Sequence, residues 1–322
     1  MTFVDMHCDT LTELMSDPAR GDLMDNCLSV DFRRLRKNGR AIQFFACFVN
    51  LADFEKDNAA YDLDKAWDYT CRVLDFFEEN QSRYPGVCTL IQTAKAAEDF
   101  SSPIGALLTV EEGGVLDGSM ERLEQLFEKN VRLLTLTWNK DNCIGHPNHR
   151  DKEKNALGLT PFGFEVICRM EELGMIVDVS HLSDGGFYDV ARTMKKPFVA
   201  SHSNARALCG HPRNLTDDML KLLAKHGGVA GLNFCPAFLD EKAGCTVEAM
   251  TAHIRHMIHV AGEDVVALGT DFDGISGPLE ISDTKEMSKL RDHLERSGFT
   301  ARVIDKIWYE NAVRVLKEVL PH

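Results

Sequence analysis

Eight short runs rich in Val, Ile, Leu and Phe recur along the chain with longer amphipathic stretches between them. This alternation constrains the fold more than any other feature. The runs are FVDMHCD from Phe3, AIQFFACFV from Ala41, GALLTVEE from Gly105, RLLTLTW from Arg132, MIVDVSH from Met175, FVASHSN from Phe198, GVAGLNF from Gly228 and VVALGTD from Val265. Between them lie helix-like segments such as LDKAWDYTCRVLDFFEEN, SMERLEQLFEKN, TPFGFEVICRMEELG, DGGFYDVARTMK, TDDMLKLLAKHG and EAMTAHIRHMIHVAG, and two more helices are expected after the last run. Strands alternating with helices read as βα units on a parallel sheet, so eight of them predict an α/β fold of the (β/α)8 TIM-barrel type with extra C-terminal helices. Helix punctuation agrees: Thr160 before Pro161 reads as a cap and first-turn proline, and Thr216 before Asp217 and Asp218 sets acid at the positive end of a helix dipole. An open doubly wound sheet competes, but its Gly-x-Gly-x-x-Gly turn is absent after the first run. No repeat or linker divides the 322 residues, so one barrel domain over 1–322 is expected. The stretch from Arg20 to Arg40 reads as an excursion after the first strand.

Composition narrows the partners. A formal net charge of -14 repels polyanions, which argues against nucleic acid and anionic membranes. The one basic cluster, RRLRK at residues 33–37, reads as a solvated helix end. No apolar run approaches the ~20 residues that span a bilayer, and the N-terminus lacks the basic start and apolar stretch of a secretory signal. Ten cysteines are scattered without a Cys-x-x-Cys pair, which favours reduced thiols and a cytoplasmic setting over disulfides. Cys47, Cys168 and Cys235 lie in apolar runs and are expected to pack as small hydrophobes.

Barrels of this kind assemble their active sites at the carboxyl ends of the strands, and those ends are unusually polar here. The first carries His7 and Asp9, the third Glu111 and Glu112, the fifth His181, the sixth His202 and the eighth Asp271. A lone buried histidine usually satisfies a core hydrogen bond, and a lone His-x-Asp usually ends a strand in water. Five of eight ends carrying such groups instead predict convergence on one mouth. Imidazoles and carboxylates together suit zinc or a similar divalent ion, and a carboxylate between two ions permits a binuclear centre.

With VDMHCDT, VEEGG, LLTLTWN, GLTPFG, VDVSH, SHSNARALCGHPRNLTDD and GTDFDG in this order, nearly the whole chain resembles the membrane (renal) dipeptidase family, binuclear zinc peptidases of the amidohydrolase superfamily. The resemblance implies that His7 and Asp9 hold one ion, that His181 and His202 hold the other, and that Glu111 bridges them. Glu111 is preferred to Glu112 because it keeps the family spacing to LLTLT, leaving Glu112 structural. It further implies that Asp271 serves the proton transfers, that Asp273 supports its loop, and that Arg213 contacts substrate. The competing role for Arg213 is a salt bridge with Asp217 or Asp218. Trp138 stands where many members have a histidine associated with substrate and transition-state binding, a departure that bears on substrate choice and on rate. Asn139, Asn142, His146 and His149 are candidate replacement donors, although HPNHR reads as a solvated loop.

The implied activity is a metallo-dipeptidase cleaving the peptide bond of dipeptides, with a D residue tolerated at the C-terminal position. The implied nucleophile is a metal-bridging hydroxide, and the implied cofactors are two divalent ions, Zn2+ foremost. An amidohydrolase acting on N-acyl amino acids or another small amide or lactone is the alternative, and a non-catalytic metal-binding protein is the third reading. A homodimer is expected. The export and membrane anchor of the mammalian relatives are not.

Overall fold

Each of the eight apolar runs contributes one strand to a parallel barrel in a computed structural model that describes residues 2–37, 39–56, 61–240 and 242–322. The strands are β1 (Thr2–Asp5), β2 (Arg40–Phe48), β3 (Cys88–Leu90), β4 (Ile104–Glu111), β5 (Val131–Thr135), β6 (Ile176–Asp178), β7 (Val199–Ala200), β8 (Val229–Leu232) and β9 (Val266–Leu268). The barrel order is β1-β2-β4-β5-β6-β7-β8-β9, and the short β3, which the sequence reading missed, pairs with β4 off this path. Hydrogen bonds join the two end strands and their extensions: Met6 N to Leu268 O at 2.9 Å, Asp271 N to His7 O at 3.2 Å and Asp9 N to Phe272 O at 3.0 Å.

Several strands are shorter than the runs that produce them. In MIVDVSH only Ile176–Asp178 stays in the ladder, and by His181 the backbone has reached a φ of 65°. Asp271 does the same after β9, with a φ of 63°. A left-handed backbone is costly for a residue with a Cβ and marks positions where the surroundings impose a particular aim on the side chain. Leaving the ladder early is how these strands turn polar groups into the mouth.

The α-helices are α1 (Thr10–Ser16), α2 (Phe32–Lys37), α3 (Leu63–Arg83), α4 (Ala94–Glu98), α5 (Met120–Glu128), α6 (Lys152–Asn155), α7 (Pro161–Leu173), α8 (Asp184–Thr193), α9 (Asp217–Lys225), α10 (Pro236–Leu239), α11 (Val247–Ala261), α12 (Ser288–Arg296), α13 (Ala301–Asp305) and α14 (Asn311–Val319). The expected caps are present: Thr160 Oγ1 accepts from Gly163 N with Pro161 in the first turn, and Thr216 Oγ1 accepts from Met219 N. The long α3 follows its amphipathic period and buries Ala66, Val73, Leu74 and Phe77.

Two apolar layers result. One lies between strands and outer helices and includes Phe45, Leu134, Val177, Phe187 and Leu220. The other joins Val4, Ile42, Phe44, Leu107, Leu133, Val199 and Val229 to Val315, Leu316 and Val319 of α14. The Asn311 amide that starts α14 donates to Val266 O at 2.8 Å, which sets this helix at the amino ends of the strands. Hydrocarbon fills that end; the opposite end is left for polar chemistry.

Two expectations need correction. RRLRK is not wholly a solvated helix end: Arg33 is exposed, but Arg34 is buried, donating from Nε to Asp31 at 2.7 Å and from Nη2 to Asn26 O at 2.6 Å. Its guanidinium clamps the Asn26–Asp31 turn. Of the three cysteines expected to pack as hydrophobes, Cys47 is buried, Cys168 is exposed on α7 and Cys235 is half-buried beside the mouth. All ten cysteines are free thiols, and no helix among the described residues is long and apolar enough to cross a membrane.

Candidate metal centre and active site

Six polar side chains from five strand ends converge in the mouth. Glu111 is central: its Oε1 lies 3.0 Å from His181 Nε2 and 3.3 Å from His202 Nε2, and its Oε2 lies 3.4 Å from His7 Nε2. His7 Nε2 also faces Asp9 Oδ1 at 3.6 Å and Asp271 Oδ1 at 3.8 Å. The rings of His7 and His202 stack with centroids 3.8 Å apart, and the Nε2 atoms of His181 and His202 are only 3.1 Å apart. Two overlapping triplets of ligand atoms, His7–Glu111–His202 and His7–Asp9–Asp271, each fit within 4.8 Å.

This donor set fits divalent cations. His7 Nε2 and Asp9 Oδ1 are buried without a hydrogen-bond partner, a costly state for a polar atom that an ion would relieve. Burial, aided by the nearby Arg213 charge, lowers His181 to about 4. Burial followed by the charges of His7 and Arg213 holds His202 well below its ordinary value. Both imidazoles are therefore neutral, as ligation requires. Burial raises Asp271 to about 7, with the Asp9 and Glu111 carboxylates adding to burial against the pull of His7. Glu111 behaves oppositely: burial would raise it, but the charge of His7 and the close approach of the three imidazoles prevail and hold it well below the usual range.

Buried carboxylates brace this floor from below. Asp5 accepts from Thr270 N and Thr270 Oγ1, both at 2.8 Å, and from Gln43 Nε2 at 3.0 Å. Asp178, at the end of β6, accepts from Ser180 N at 2.9 Å, Ser201 N at 2.8 Å, Thr135 Oγ1 at 2.7 Å and Ser201 Oγ at 2.6 Å. Asn233 Nδ2 donates to Asp271 Oδ2 at 2.9 Å, which leaves Oδ1 as the oxygen facing His7. Close approach also excludes side chains: a Cβ on Gly274 would sit 1.9 Å from Asp9 Oδ2 and 2.7 Å from Asp271 Oδ1.

A cavity of about 560 Å³ opens above the floor, lined by Phe48, Trp138, Asn139, Phe238, Ile275 and Pro278 among others. Trp138 is half-buried at its edge, with its ring 4.8 Å from that of Phe48 and 6.3 Å from that of His181. Of the candidate replacement donors only Asn139 lines this cavity. Asn142 donates to Glu112 at 2.5 Å, His146 Nδ1 pairs with Asp141 at 2.9 Å, and His149 accepts from Asp151 N at 2.9 Å. Arg213 is buried beside the centre, with Nη1 donating to Ser203 Oγ at 2.5 Å and with Nε and Nη2 unpartnered. The proposed salt bridge is not made: Asp217 pairs with His256 at 2.8 Å and Asp218 with Lys221 at 3.8 Å. Asp273 takes Thr10 Oγ1 at 2.6 Å and Ser29 N at 2.8 Å, a loop support.

Glu112 turns away from the cluster. Its backbone has a φ of 114°, and its carboxylate accepts from Gly114 N at 2.7 Å, Asn142 Nδ2 at 2.5 Å and Trp138 N at 3.2 Å. It ties the segment carrying Trp138 to the strand end carrying Glu111. Sequence reasoning missed Phe48, Asn233 and this tie. Phe48 ends β2 beside Glu111 in register, but as an apolar residue in an apolar run it gives no signal. Asn233 had one, a lone polar residue late in GVAGLNF.

Residues 1–321 match the family model described as membrane dipeptidase, peptidase family M19. An uncharacterized dipeptidase of Schizosaccharomyces pombe is 32% identical over 311 residues, covering 89% of this chain and 71% of that protein. A crystal structure of a family M19 metallopeptidase, a dipeptidase, superposes with a TM-score of 0.89 at 26% identity, covering 100% of this chain and 99% of that one. A metallopeptidase from Rhodobacter sphaeroides, crystallised with a phosphinate mimic of the dipeptide L-Ala-D-Ala, superposes with a TM-score of 0.88 at 25% identity and 99% coverage of both chains.

Proposed function

The chain belongs to the membrane dipeptidase family and is a metallo-dipeptidase; we propose that it cleaves dipeptides, including those with a D residue at the C-terminal position, at a centre of two divalent ions, Zn2+ foremost. The observation that carries this reading is the convergence of three imidazole Nε2 atoms on the two oxygens of Glu111, at 3.0, 3.3 and 3.4 Å. In this reading His7 and Asp9 hold one ion, His181 and His202 hold the other, and Glu111 lies between. Tolerance of a D residue is supported by the Rhodobacter relative, whose bound ligand mimics L-Ala-D-Ala.

Ions bound there would supply Lewis acidity, polarising a carbonyl and drawing the pKa of a bound water toward neutrality. The chain does the rest. Asp271 accepts the water proton at Oδ1, since Oδ2 is engaged by Asn233, and returns it to the departing amine. Arg213 offers its unpartnered Nε and Nη2 to the free carboxylate of a short substrate, a planar fork that a lysine would reproduce poorly. Phe48 and Trp138 exclude water from one side of the cavity and present an apolar wall to a substrate side chain.

The test is metal analysis of the purified protein together with a panel of L,L and L,D dipeptides and N-acyl amino acids. About two ions per chain and turnover of dipeptides but not of acyl amino acids are expected; the reverse preference would replace the peptidase reading with the acylase one. We propose a reducing, cytoplasmic location as well, on the ten free thiols. The expected homodimer is checked by light scattering.

A further inference from the structure

Hydrogen directions beneath the metal centre can be followed atom by atom. As a carboxylate, Asp178 can only accept. Two of its donors are backbone amides, and on Oδ2 it takes the hydroxyls of Thr135 at 2.7 Å and Ser201 at 2.6 Å. A serine hydroxyl has one proton. With that proton directed to Asp178, the Ser201 oxygen meets His202 Nδ1, 2.7 Å away, as an acceptor, so the imidazole must carry its proton on Nδ1. The lone pair is then on Nε2, the atom that faces Glu111. Ser180 completes the arrangement: its Oγ accepts from His202 N at 3.1 Å and lies 3.3 Å from Ser201 Oγ.

The backbone is shaped around this arrangement. A Cβ added to Gly231 or Gly269 would meet Ser201 O at 1.9 or 1.8 Å, so both positions admit the serine segment by having no side chain. His181 lacks such bracing: its Nδ1 is buried without any hydrogen-bond partner. The two histidines read as sharing one ion are thus held differently.

We propose that Asp178 and Ser201 form a proton-ordering relay that locks His202 in the Nδ1–H tautomer, and that Ser201 is thereby a positioning residue for metal retention. The inference rests on the reading of His202 as a metal ligand and on nothing about the substrate. Groups that fix the other nitrogen of a ligating histidine typically govern metal affinity by about 10–100-fold.

The first measurement uses the unmodified metal-free chain: nitrogen-15 NMR of labelled histidines should show the His202 proton on Nδ1. A proton on Nε2 overturns the proposal, whether or not the chain proves to be a dipeptidase. The second titrates the ions against a competing chelator in Ser201→Ala and Thr135→Val. Ser201→Ala should weaken one ion equivalent by roughly 10–100-fold and leave the other near its original affinity. Thr135→Val strips a comparable hydrogen bond from the same carboxylate without touching the imidazole, so it should cost clearly less. Equal losses in the two variants, or no loss in Ser201→Ala, would reduce Ser201 to a packing role. A chain that binds no ion in any form removes the metal reading instead, and the NMR result still decides the tautomer.

Discussion

The floor of the site and its wall are built by different means. Floor residues stand at strand ends or two to four positions beyond them, and the carboxylates of Asp5 and Asp178 beneath take several buried donors each. The wall is made of Phe48, Phe238 of α10 and loop residues such as Trp138, Ile275 and Pro278, and one carboxylate, Glu112, holds the Trp138 segment. Groups that grip ions and move protons tolerate displacements of only a fraction of an ångström, whereas a wall that selects side chains needs shape alone. One barrel can therefore keep a constant chemistry and vary its substrates by loop replacement.

The comparison breaks most visibly at Glu111. Glu111→Gln keeps the shape but removes the charge shared among three imidazoles, so bound metal should fall well below that of the parent chain. Turnover should fall by about 10²–10³-fold or more, the scale of losing a principal electrostatic group. Retained metal with normal turnover would mean that the floor is not organised around this residue. Asp271→Asn should separate the functions within the floor: metal content unchanged by elemental analysis, and kcat lower by roughly 10²–10⁴-fold for a lost proton carrier. A variant that loses metal in proportion would make Asp271 a ligand and not a base.

On the wall, Glu112→Gln turns an amide NH2 toward donors now facing a carboxylate oxygen. A buried donor left unmade costs about 1–3 kcal/mol, visible as a lower melting temperature, and KM should rise while metal content holds. Loss of metal would show that floor and wall are a single unit. Phe48→Ala should act on choice alone. The ratio of kcat/KM between a leucine-containing and a glycine-containing dipeptide should shrink about tenfold, in line with pocket discrimination for small apolar groups. An unchanged ratio would remove Phe48 from the wall.

The same division governs what the sequence discloses. The floor is legible because charged residues at the ends of apolar strands have no bland explanation as a set, and Glu111 rather than Glu112 proved to be the residue facing the imidazoles. Side-chain alternation could not have decided this unaided, since His181, Asp271 and Glu112 all leave the extended conformation at positive φ. The wall is less legible. Phe48 is written like any core phenylalanine, and Asn233 donates to Asp271 across 38 positions of sequence. Arg34 looks like surface charge until a turn closes on it. Cys168 illustrates the converse error, an apolar run on a helix whose period carries one member outward.

The finest test concerns the seam between the two regions. His253 on α11 is buried, with Nδ1 accepting from Ala205 N at 3.1 Å and Nε2 donating to Leu239 O at 2.9 Å. It thereby joins the segment after His202 to the one carrying Phe238. Both bonds together require a neutral ring, because protonation would convert the acceptor into a second donor facing an amide. Burial holds its pKa below the ordinary 6.5, with the His256 charge acting in the same direction and the Leu239 carbonyl and Asp240 opposing. The unfolded chain therefore binds a proton that the folded chain resists, so the stability contributed by this ring is full above pH 6.5 and is lost as pH falls through that value toward the folded pKa. His181 and His202 act in the same sense, so the informative quantity is the difference between the parent chain and His253→Gln. Thermal melts from about pH 7 down to about pH 5 should converge, with the parent losing on the order of 2 °C more than the variant. Parallel curves would mean that this seam holds floor to wall without answering to protons.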